Sequence, residues 1–217
     1  MGALEQLLNH PGLWRGRGRG IGSQENVPVR PSGFAPLDEV LRGGWPRGRL
    51  IELIGGPFGC GETRILLPML ADCAAENLRV VLVSPPAVPW IPGWQQLGVL
   101  PEQILLIRTE HVDDAVWSCE QVLRHPGIGA VLAWLQQPGI ASLRRLRLAA
   151  VAGETCAFLF RPSAAAAQPS PAHLRIRWQG AQDYLRLEIF KNTGGWPARN
   201  APIDVPIESG MRHASPR

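Results

Sequence analysis

The sequence predicts an α/β protein with a mostly parallel central sheet flanked by helices and an antiparallel C-terminal extension. The first observation is a series of continuous apolar segments of strand length, at residues 49–54, 79–84, 103–108, 129–135 and 155–160. The second is a pair of helical segments between them, at 113–124 and 141–152. Continuous apolar strands separated by helices are typical of a parallel sheet covered on both faces.

The extension is predicted from a change of pattern near the C-terminal end. Residues 173–178 (HLRIRW) and 184–190 (YLRLEIF) alternate apolar and polar side chains, after an Ala/Pro/Ser-rich segment at 163–171. Alternation with a period of two is the pattern of antiparallel strands with one covered face. The two stretches are therefore predicted to pair with each other.

The chain is predicted to hold one domain. Residues 3–9 are predicted to form a short helix, and residues 14–22 (WRGRGRGIG) form a Gly/Arg run that favours neither helix nor strand. We therefore expect a flexible Arg/Gly-rich arm over 1–30, a core domain over 31–207 and a disordered tail over 208–217. The arm either contacts phosphates or is simply solvated.

The core domain is predicted to begin with a short amphipathic helix. Phe34, Leu37 and Leu41 share one helical face, and the pair Gly43 and Gly44 follows directly. Glycines at this position end a helix, so the first strand should start soon afterwards.

Composition excludes several classes of protein. The 217 residues carry 22 basic and 18 acidic side chains for a net charge of +4, and every basic residue except Lys191 is arginine. No apolar run reaches the roughly 18 to 20 residues of a membrane span, and the N-terminus lacks a signal-peptide pattern, so we expect a cytoplasmic protein without membrane contact. Four scattered cysteines indicate neither a disulfide framework nor a metal site.

Directly after the first strand, the sequence GGPFGCGET matches a phosphate-binding loop at all positions but one. The pattern G-x-x-x-x-G-K-[ST] places its glycines at Gly56 and Gly61 and its hydroxyl at Thr63. In such a loop, backbone N–H groups face the phosphates, the lysine neutralises their charge and the hydroxyl holds Mg²⁺. The lysine position is occupied by Glu62.

Glu62 changes the expected chemistry of the loop. A carboxylate about 4 Å from a phosphate charge costs on the order of 4 kcal/mol at an effective dielectric constant of about 20. We therefore expect ATP binding in the usual pose to be weak or absent. A carboxylate in the first helical turn is stabilised by about 0.3 to 1 kcal/mol, so Glu62 is a candidate built-in anion; the alternative is a plain tight turn with an ordinary first-turn acid.

The segment PSGFAPLDEVLRGGWPRGRLIELIGGPFGCGET resembles the start of the ATPase core of RecA-family recombinases. Further segments resemble the ImuA family more closely: LWRGRG, VVLVSPP, AVLAWL, LRRLRLAA, FLFRP and KNTGGWPA. That family is a bacterial RecA-like group associated with damage-induced translesion synthesis and often grouped with the cell-division inhibitor SulA. The resemblance covers about residues 5 to 205 and implies a RecA-like P-loop core.

The resemblance also implies that three parts of a phosphoryl-transfer site are missing. Glu62 replaces the lysine, and the strand that should end in a Mg²⁺-supporting aspartate ends in Trp134. The catalytic glutamate would follow the 79–84 strand, where the chain instead reads Ser84 and two prolines. Because all three are needed for phosphoryl transfer, the resemblance implies a pseudo-ATPase with no catalytic residue, cofactor or metal.

The DNA-binding loops implied by the resemblance are altered. The first is shortened to residues 136–142 (QQPGIAS) and the second is replaced by residues 163–171 (SAAAAQPSP). Filament formation on single-stranded DNA is therefore not expected, and any DNA contact should be weak or indirect.

Two basic features are candidate interaction residues. Lys191 stands where RecA has basic residues that reach a neighbouring subunit's nucleotide; the alternative is a strand-end cation that binds carbonyls or solvent. The second feature is a helix with an apolar face and three arginines, Arg144, Arg145 and Arg147, which form either a partner or phosphate surface or a solvated face.

Trp90 and Trp94 are a third candidate contact. They lie in a proline-rich stretch, SPPAVPWIPGW, in which complete burial of both rings is difficult. Exposed tryptophan beside rigid prolines suits a protein contact, and the alternative is a packed lid over the sheet.

The resemblance implies a non-catalytic adaptor of the SOS response, acting in translesion synthesis and damage-induced mutagenesis. Its partners would be an ImuB-type Y-family-like protein, an error-prone polymerase subunit and RecA itself. Two alternatives stay open: a SulA-like division inhibitor that binds FtsZ, and an atypical RecA-like ATPase.

Overall fold

The computed structural model of the chain describes residues 27–59, 61–181, 183–193 and 202–206. Nearly all of the predicted arm, the predicted helix at 3–9 and the predicted tail at 208–217 lie outside these residues, as do Cys60 and the last five residues (GGWPA) of the KNTGGWPA segment. The domain boundaries therefore remain predictions.

The strands form one large sheet and one small ribbon. In the described residues the ribbon pairs β1 (Val29–Arg30) with β2 (Trp45–Pro46) in antiparallel fashion. Over the part of the chain that the structure describes, the large sheet has eight strands in the spatial order β10-β9-β8-β3-β7-β6-β4-β5. Its members are β3 (Leu50–Gly55), β4 (Arg79–Val83), β5 (Ile104–Ile107), β6 (Ile128–Trp134), β7 (Cys156–Pro162), β8 (Leu174–Gly180), β9 (Tyr184–Asn192) and β10 (Ile203–Pro206).

Helices cover the parallel part of this sheet on both faces. They are α1 (Ala35–Leu41), α2 (Leu67–Ala75), α3 (Ile91–Gln96), α4 (Val112–Arg124) and α5 (Ile140–Gly153), with short 3-10 segments at Glu62–Leu66, Pro101–Gln103 and Ser163–Ala167. The long helices match the predicted ones to within a residue or two. The predicted α/β class is confirmed.

Each face of the sheet has its own apolar core. Ile51 and Leu53 of β3 pack into a core with α1, α2 and α3. Leu50 lies on the other face, in a core with α4 and α5. Neighbouring residues of a strand point to opposite faces, so a continuous apolar strand contributes side chains to both cores.

The C-terminal extension is continuous with the main sheet. β8 runs parallel to β3 on one side and antiparallel to β9 on the other, and β10 adds antiparallel to β9. The predicted antiparallel pair is confirmed. The sequence did not predict that β8 would border β3, and this neighbour relationship brings residues 52 and 175 together.

No helix in the described part of the chain is long and apolar enough to cross a membrane. Within the same residues, no group of three or more His, Cys, Asp and Glu side chains is arranged to hold a metal ion.

Candidate functional site

The loop after β3 has the backbone of a tight, glycine-dependent turn. Gly56, Gly59 and Gly61 have φ values of +149°, +89° and +90°. An added Cβ at Gly56 or Gly59 would meet no other atom within 4 Å, so these positions need glycine for backbone conformation rather than for space. The loop also contains a cis peptide bond between Gly56 and Pro57.

The Glu62 carboxylate folds back into this loop. The backbone N–H of Gly59 donates to both carboxylate oxygens, at 3.1 and 2.9 Å, and Glu62 is only 4% exposed. No cationic side chain of the described residues forms an ion pair with it. A backbone N–H of this glycine turn is therefore occupied by the chain's own carboxylate.

The helix after the loop begins later than the sequence predicts. Instead of an α-helix from Thr63, residues Glu62–Leu66 form a 3-10 turn and α2 begins at Leu67. Pro68 explains the difference, because proline lacks an N–H and its ring crowds the carbonyl four residues earlier. Proline is well suited to the first turn of a new helix.

Aromatic side chains crowd the start of the loop. A Cβ on Gly55 would come within 2.5 Å of the Trp178 indole, so glycine is required there. The Phe58 ring lies 6.3 Å from the same indole, centroid to centroid. The beginning of the loop is thus packed against β8 by aromatic contacts.

Trp134 is part of the core at the end of β6. Its ring stacks on Phe160 of β7 at a centroid distance of 4.6 Å and an interplanar angle of 11°, and its indole Nε1 is buried without a hydrogen-bond partner. The position at which the resemblance expects a metal-supporting aspartate holds an apolar stack.

At the end of β4, two hydroxyl groups meet. Ser84 has a left-handed φ of +49°, and its Oγ lies 2.7 Å from Oγ1 of Thr109. This is the predicted position of the missing general base. A pair of neutral hydroxyls cannot take up a proton near neutral pH as a carboxylate can.

The sequence did not predict a buried charged cluster on β3, on the face of the strand that also carries Leu50. Glu52 is fully buried and accepts hydrogen bonds from Arg161 Nη1 at 2.9 Å, Arg175 Nε at 2.6 Å and Ser170 Oγ at 2.9 Å. The same arginines hold the 163–168 segment, through Gln168 Oε1 at 2.8 Å and the Ala165 carbonyl at 2.7 Å. A charged residue within an apolar strand was the only available signal.

This cluster fixes the segment that the resemblance aligns with a second DNA-binding loop. Residues Ser163–Ala167 form a 3-10 turn in which Ala165 is buried. The turn lies over the buried ion pairs instead of extending from the surface.

The two candidate tryptophans lie in different environments. Trp90 is 70% exposed, whereas Trp94 is 7% exposed and belongs to the core below α3. The expectation of exposure is wrong for Trp94, because residues 91–96 form a helix that turns this side chain inward. Trp90 remains available, and its ring packs on Gly93, where a Cβ would come within 2.4 Å.

The three helical arginines also differ from one another. Arg145 Nε donates to Glu120 of α4 at 2.9 Å, which makes it a bridge between helices. Arg145 is exposed like the other two, but Glu120 partly neutralises its charge. Arg144 and Arg147 are exposed, and no carboxylate of the described residues pairs with either.

Lys191 donates to the carbonyl of Ser170 at 2.6 Å. This contact agrees with the alternative of a cation that satisfies a carbonyl. Burial, followed by the charge of Arg175, lowers the pKa of Lys191, and the Glu52 carboxylate partly opposes this shift.

The fold and loop define the class of protein: the chain has an α/β RecA-like core with a mostly parallel sheet and a phosphate-loop turn after its third strand. No protein-family model matches the chain. It is 30% identical to RecA of Oleidesulfovibrio alaskensis over 108 residues, which is 49% of this chain and 30% of that protein. It is 28% identical to RecA of Picosynechococcus over 136 residues, 60% of this chain and 38% of that protein.

A third relative, RecA of Porphyromonas gingivalis, is 29% identical over 115 residues, 52% of this chain and 33% of that protein. The chain thus spans about a third of the length of the curated relatives it matches. The similarity relates it to proteins of DNA repair and recombination.

Proposed function

We propose that this chain is a non-catalytic, RecA-like adaptor of the ImuA type, acting in the SOS response and in translesion synthesis. Its partners would be an ImuB-type Y-family-like protein, an error-prone polymerase subunit and RecA. The observation that carries the proposal is the Glu62 carboxylate bound to the Gly59 N–H within the phosphate loop.

The electrostatics of the loop support a non-catalytic role. A nucleotide phosphate would have to displace a buried carboxylate that already occupies a backbone donor. If the carboxylate stayed, two like charges about 4 Å apart would cost on the order of 4 kcal/mol. A cost of that size lowers the affinity for the nucleotide nearly a thousandfold.

The two other positions at which the resemblance expects catalytic residues support the same role. Trp134 is stacked in the core and the Ser84 hydroxyl is paired with Thr109, so neither position presents a carboxylate. Restoring activity would therefore require changes at three places that pack independently.

An exposed aromatic loop supports partner binding. Trp90 and Val88 are 70% and 60% exposed, and residues 84–101 carry no charged side chain. An uncharged, proline-rich surface with an exposed indole has the composition of a protein contact. We propose that it contacts one of the partners.

The first experiment measures nucleotide binding and hydrolysis by the purified chain with Mg²⁺. We expect no turnover above background and no rise in melting temperature with ATP. Robust turnover that is lost in Thr63→Ala would overturn the non-catalytic assignment and favour the atypical ATPase.

The second experiment captures the tagged chain from damage-treated cells. We expect Trp90→Ala to lose partners and Trp117→Ala to retain them. Trp117 is a matched control, because it is also a largely exposed tryptophan, at 60%, but lies on α4. Equal recovery with both variants would remove the Trp90 loop from the proposal, whereas recovery of FtsZ in place of polymerase components would favour division inhibition.

A further inference from the structure

The outward face of α5 carries apolar and cationic side chains together. On its inward face, Leu143 and Leu146 are buried against the sheet. On the opposite side, exposed residues recur at intervals of three or four positions, so they lie along one line of the helix surface. These exposed residues are Ile140, Ala141, Arg144, Arg147, Leu148 and Val151. We call these six residues the α5 stripe.

The aliphatic side chains of the α5 stripe are open to solvent. Leu148 is 63% exposed, Val151 is 45% exposed and Ile140 is 41% exposed. Single exposed apolar side chains are common on protein surfaces. Three aliphatic side chains along one helix face instead form a line that another helix can cover, because apolar anchors at intervals of three and four residues define the contact side of an amphipathic helix.

The charge of the α5 stripe is positive. Arg144 lies one turn from both Ile140 and Leu148, so a cation stands within the apolar line, and Arg147 follows on the next turn. The stripe contains no acid, and no carboxylate of the described residues forms an ion pair with either arginine. The third arginine of this helix is different, since it is already paired with α4. The α5 stripe therefore combines apolar side chains with uncompensated positive charge.

We infer that the α5 stripe binds an amphipathic helix of a partner protein, one whose apolar line is flanked by Asp and Glu. This inference rests on the proposed adaptor function and gives the chemistry of one partner contact. The partner's apolar residues cover Leu148 and Val151. Its carboxylates pair with Arg144 and Arg147, each of which can hold a carboxylate through two parallel hydrogen bonds. Ion pairs that flank an apolar line select the partner of a helix.

Complementary charge favours a different protein over a second copy of this chain. Two copies packed through the α5 stripe would bring the arginines of both stripes together, and the stripe has no acid to compensate them. Like charges brought together at an interface disfavour that pairing. An acidic helix supplies the opposite charge.

The aliphatic side chains favour a helix over nucleic acid. Cations on nucleic-acid-binding surfaces contact phosphates, and these interfaces are more polar than those between proteins. In the α5 stripe, Arg144 stands between Ile140 and Leu148. A row of phosphates would leave these two side chains without an apolar neighbour, whereas the apolar face of a helix covers both.

The α5 stripe and the Trp90 loop belong to opposite faces of the sheet. The loop leads into α3, whose Trp94 packs into the core with α1 and α2, whereas Leu146 of α5 packs into the core with α4. A single helix cannot cover both surfaces. The two contacts are therefore compatible with two partners bound at the same time, as the adaptor function requires.

The test is fluorescence polarisation with the full chain and three labelled helical peptides. All three peptides carry the same line of leucines at intervals of three and four residues, flanked by Glu in the first, Gln in the second and Lys in the third. We expect the Glu peptide to bind about tenfold more tightly than the Gln peptide, since each exposed ion pair contributes modestly. The Lys peptide should not bind, and added salt should weaken only the Glu complex.

Charge reversal in α5 separates recognition from a structural role. Arg144→Glu with Arg147→Glu should reverse the preference, so that the Lys peptide binds and the Glu peptide does not. The matched control is Arg79→Glu with Arg108→Glu, which reverses two other exposed arginines. Because exposed charges outside the contact are screened by salt, this control should change each affinity by less than about twofold.

A second pair of variants tests the apolar line. Leu148→Gln with Val151→Gln keeps good helix formers in α5 and should weaken the Glu and Gln peptides alike, by about tenfold, because less apolar surface is removed from water. Leu105→Gln with Leu106→Gln changes two exposed leucines of β5 and should leave both affinities unchanged. Melting temperatures of all variants establish that the fold is retained.

The α5-stripe inference is overturned if no peptide binds, if the Gln peptide binds as tightly as the Glu peptide, or if charge reversal leaves the preference unchanged. It is also overturned if a single-stranded oligonucleotide or phosphatidylserine vesicles bind more tightly than the Glu peptide and depend equally on Arg144 and Arg147. Failure of the adaptor proposal is distinguishable. In that case the wild-type chain captures no partner from damaged cells, whatever the peptides do.

Discussion

Two buried glutamates, Glu52 and Glu62, are stabilised in different ways. Glu52 is held by two arginines and a serine that are far away along the chain, whereas Glu62 is held by the backbone N–H of a residue three positions earlier. The first is a desolvated ion cluster, and the second is an anion in a backbone turn. A buried charge can thus be satisfied by distant side chains or by local backbone, and only the local arrangement is visible as a motif.

The largest expected effect comes from removing the carboxylate of the cluster. Glu52→Ala leaves Arg161 and Arg175 buried without a counter-charge, which should lower the free energy of unfolding by about 3 to 5 kcal/mol. Urea unfolding followed by tryptophan fluorescence measures it, with Glu52→Gln as the isosteric variant.

Glu188→Ala is the control for this prediction. It removes an exposed carboxylate from Arg177 and should cost less than about 1 kcal/mol. If Glu52→Ala and Glu188→Ala lowered the free energy of unfolding equally, burial of the Glu52 cluster would add nothing to the effect of losing the carboxylate.

A smaller effect is expected at the phosphate loop. Glu62→Ala removes the acceptor of the Gly59 N–H, but Gly59 is exposed and water can replace the carboxylate. We expect a loss of about 1 to 2 kcal/mol. The vacated N–H should also favour anions, so phosphate should raise the melting temperature of Glu62→Ala more than that of the wild type.

The result for Glu62→Ala separates the two explanations of the loop. If phosphate stabilises both proteins equally, Glu62 is an ordinary first-turn acid and the internal-anion interpretation is wrong.

Buried thiols extend the comparison to ionisable groups without a counter-charge. Burial raises the pKa of Cys119 from 9.0 to about 12. Above pH 9 the unfolded thiol loses its proton while the folded one keeps it, so the unfolded state binds fewer protons and stability falls as pH rises. At pH 10 this thiol should account for about 1.4 kcal/mol of the loss.

Urea titrations at pH 8, 9 and 10 measure this decline. Cys119→Ala should make the decline shallower, whatever its effect on stability at pH 8. An unchanged slope would contradict the assignment to this thiol.

The smallest expected quantity is the coupling between the two glutamates. They share no hydrogen-bond partner, so the double variant Glu52→Gln with Glu62→Ala should lose the sum of the single losses to within about 0.5 kcal/mol. A double-mutant cycle measures the difference. A larger coupling would show that the loop and the charged cluster act as one unit.

Much of the fold followed from local patterns. The apolar runs predicted the parallel strands because each strand is buried on both faces, and alternation predicted the β8–β9 pair. The short strands β1 and β2, the helix α3 and the strand β10 were missed, because two to six residues carry too little periodicity to be recognised.

The candidate site was predictable where its contacts are local. The glycines and Glu62 lie within a few residues of one another, so their arrangement is contained in the motif. The burial of Trp94 was not predictable, since it depends on a helix of only six residues that is too short to show a periodicity. The pairing of Arg145 with Glu120 was not predictable either, since the two residues lie on different helices.

By itself, the sequence determined the α/β class, the phosphate-loop turn and the glutamate within it, since these depend on residue periodicity and on backbone conformations that favour glycine. Only the tertiary structure placed β8 beside β3 and thereby brought Arg175 to Glu52, 123 residues away in sequence. Charges cluster through contacts between distant segments, and the order of residues along a chain does not specify those contacts by any local pattern.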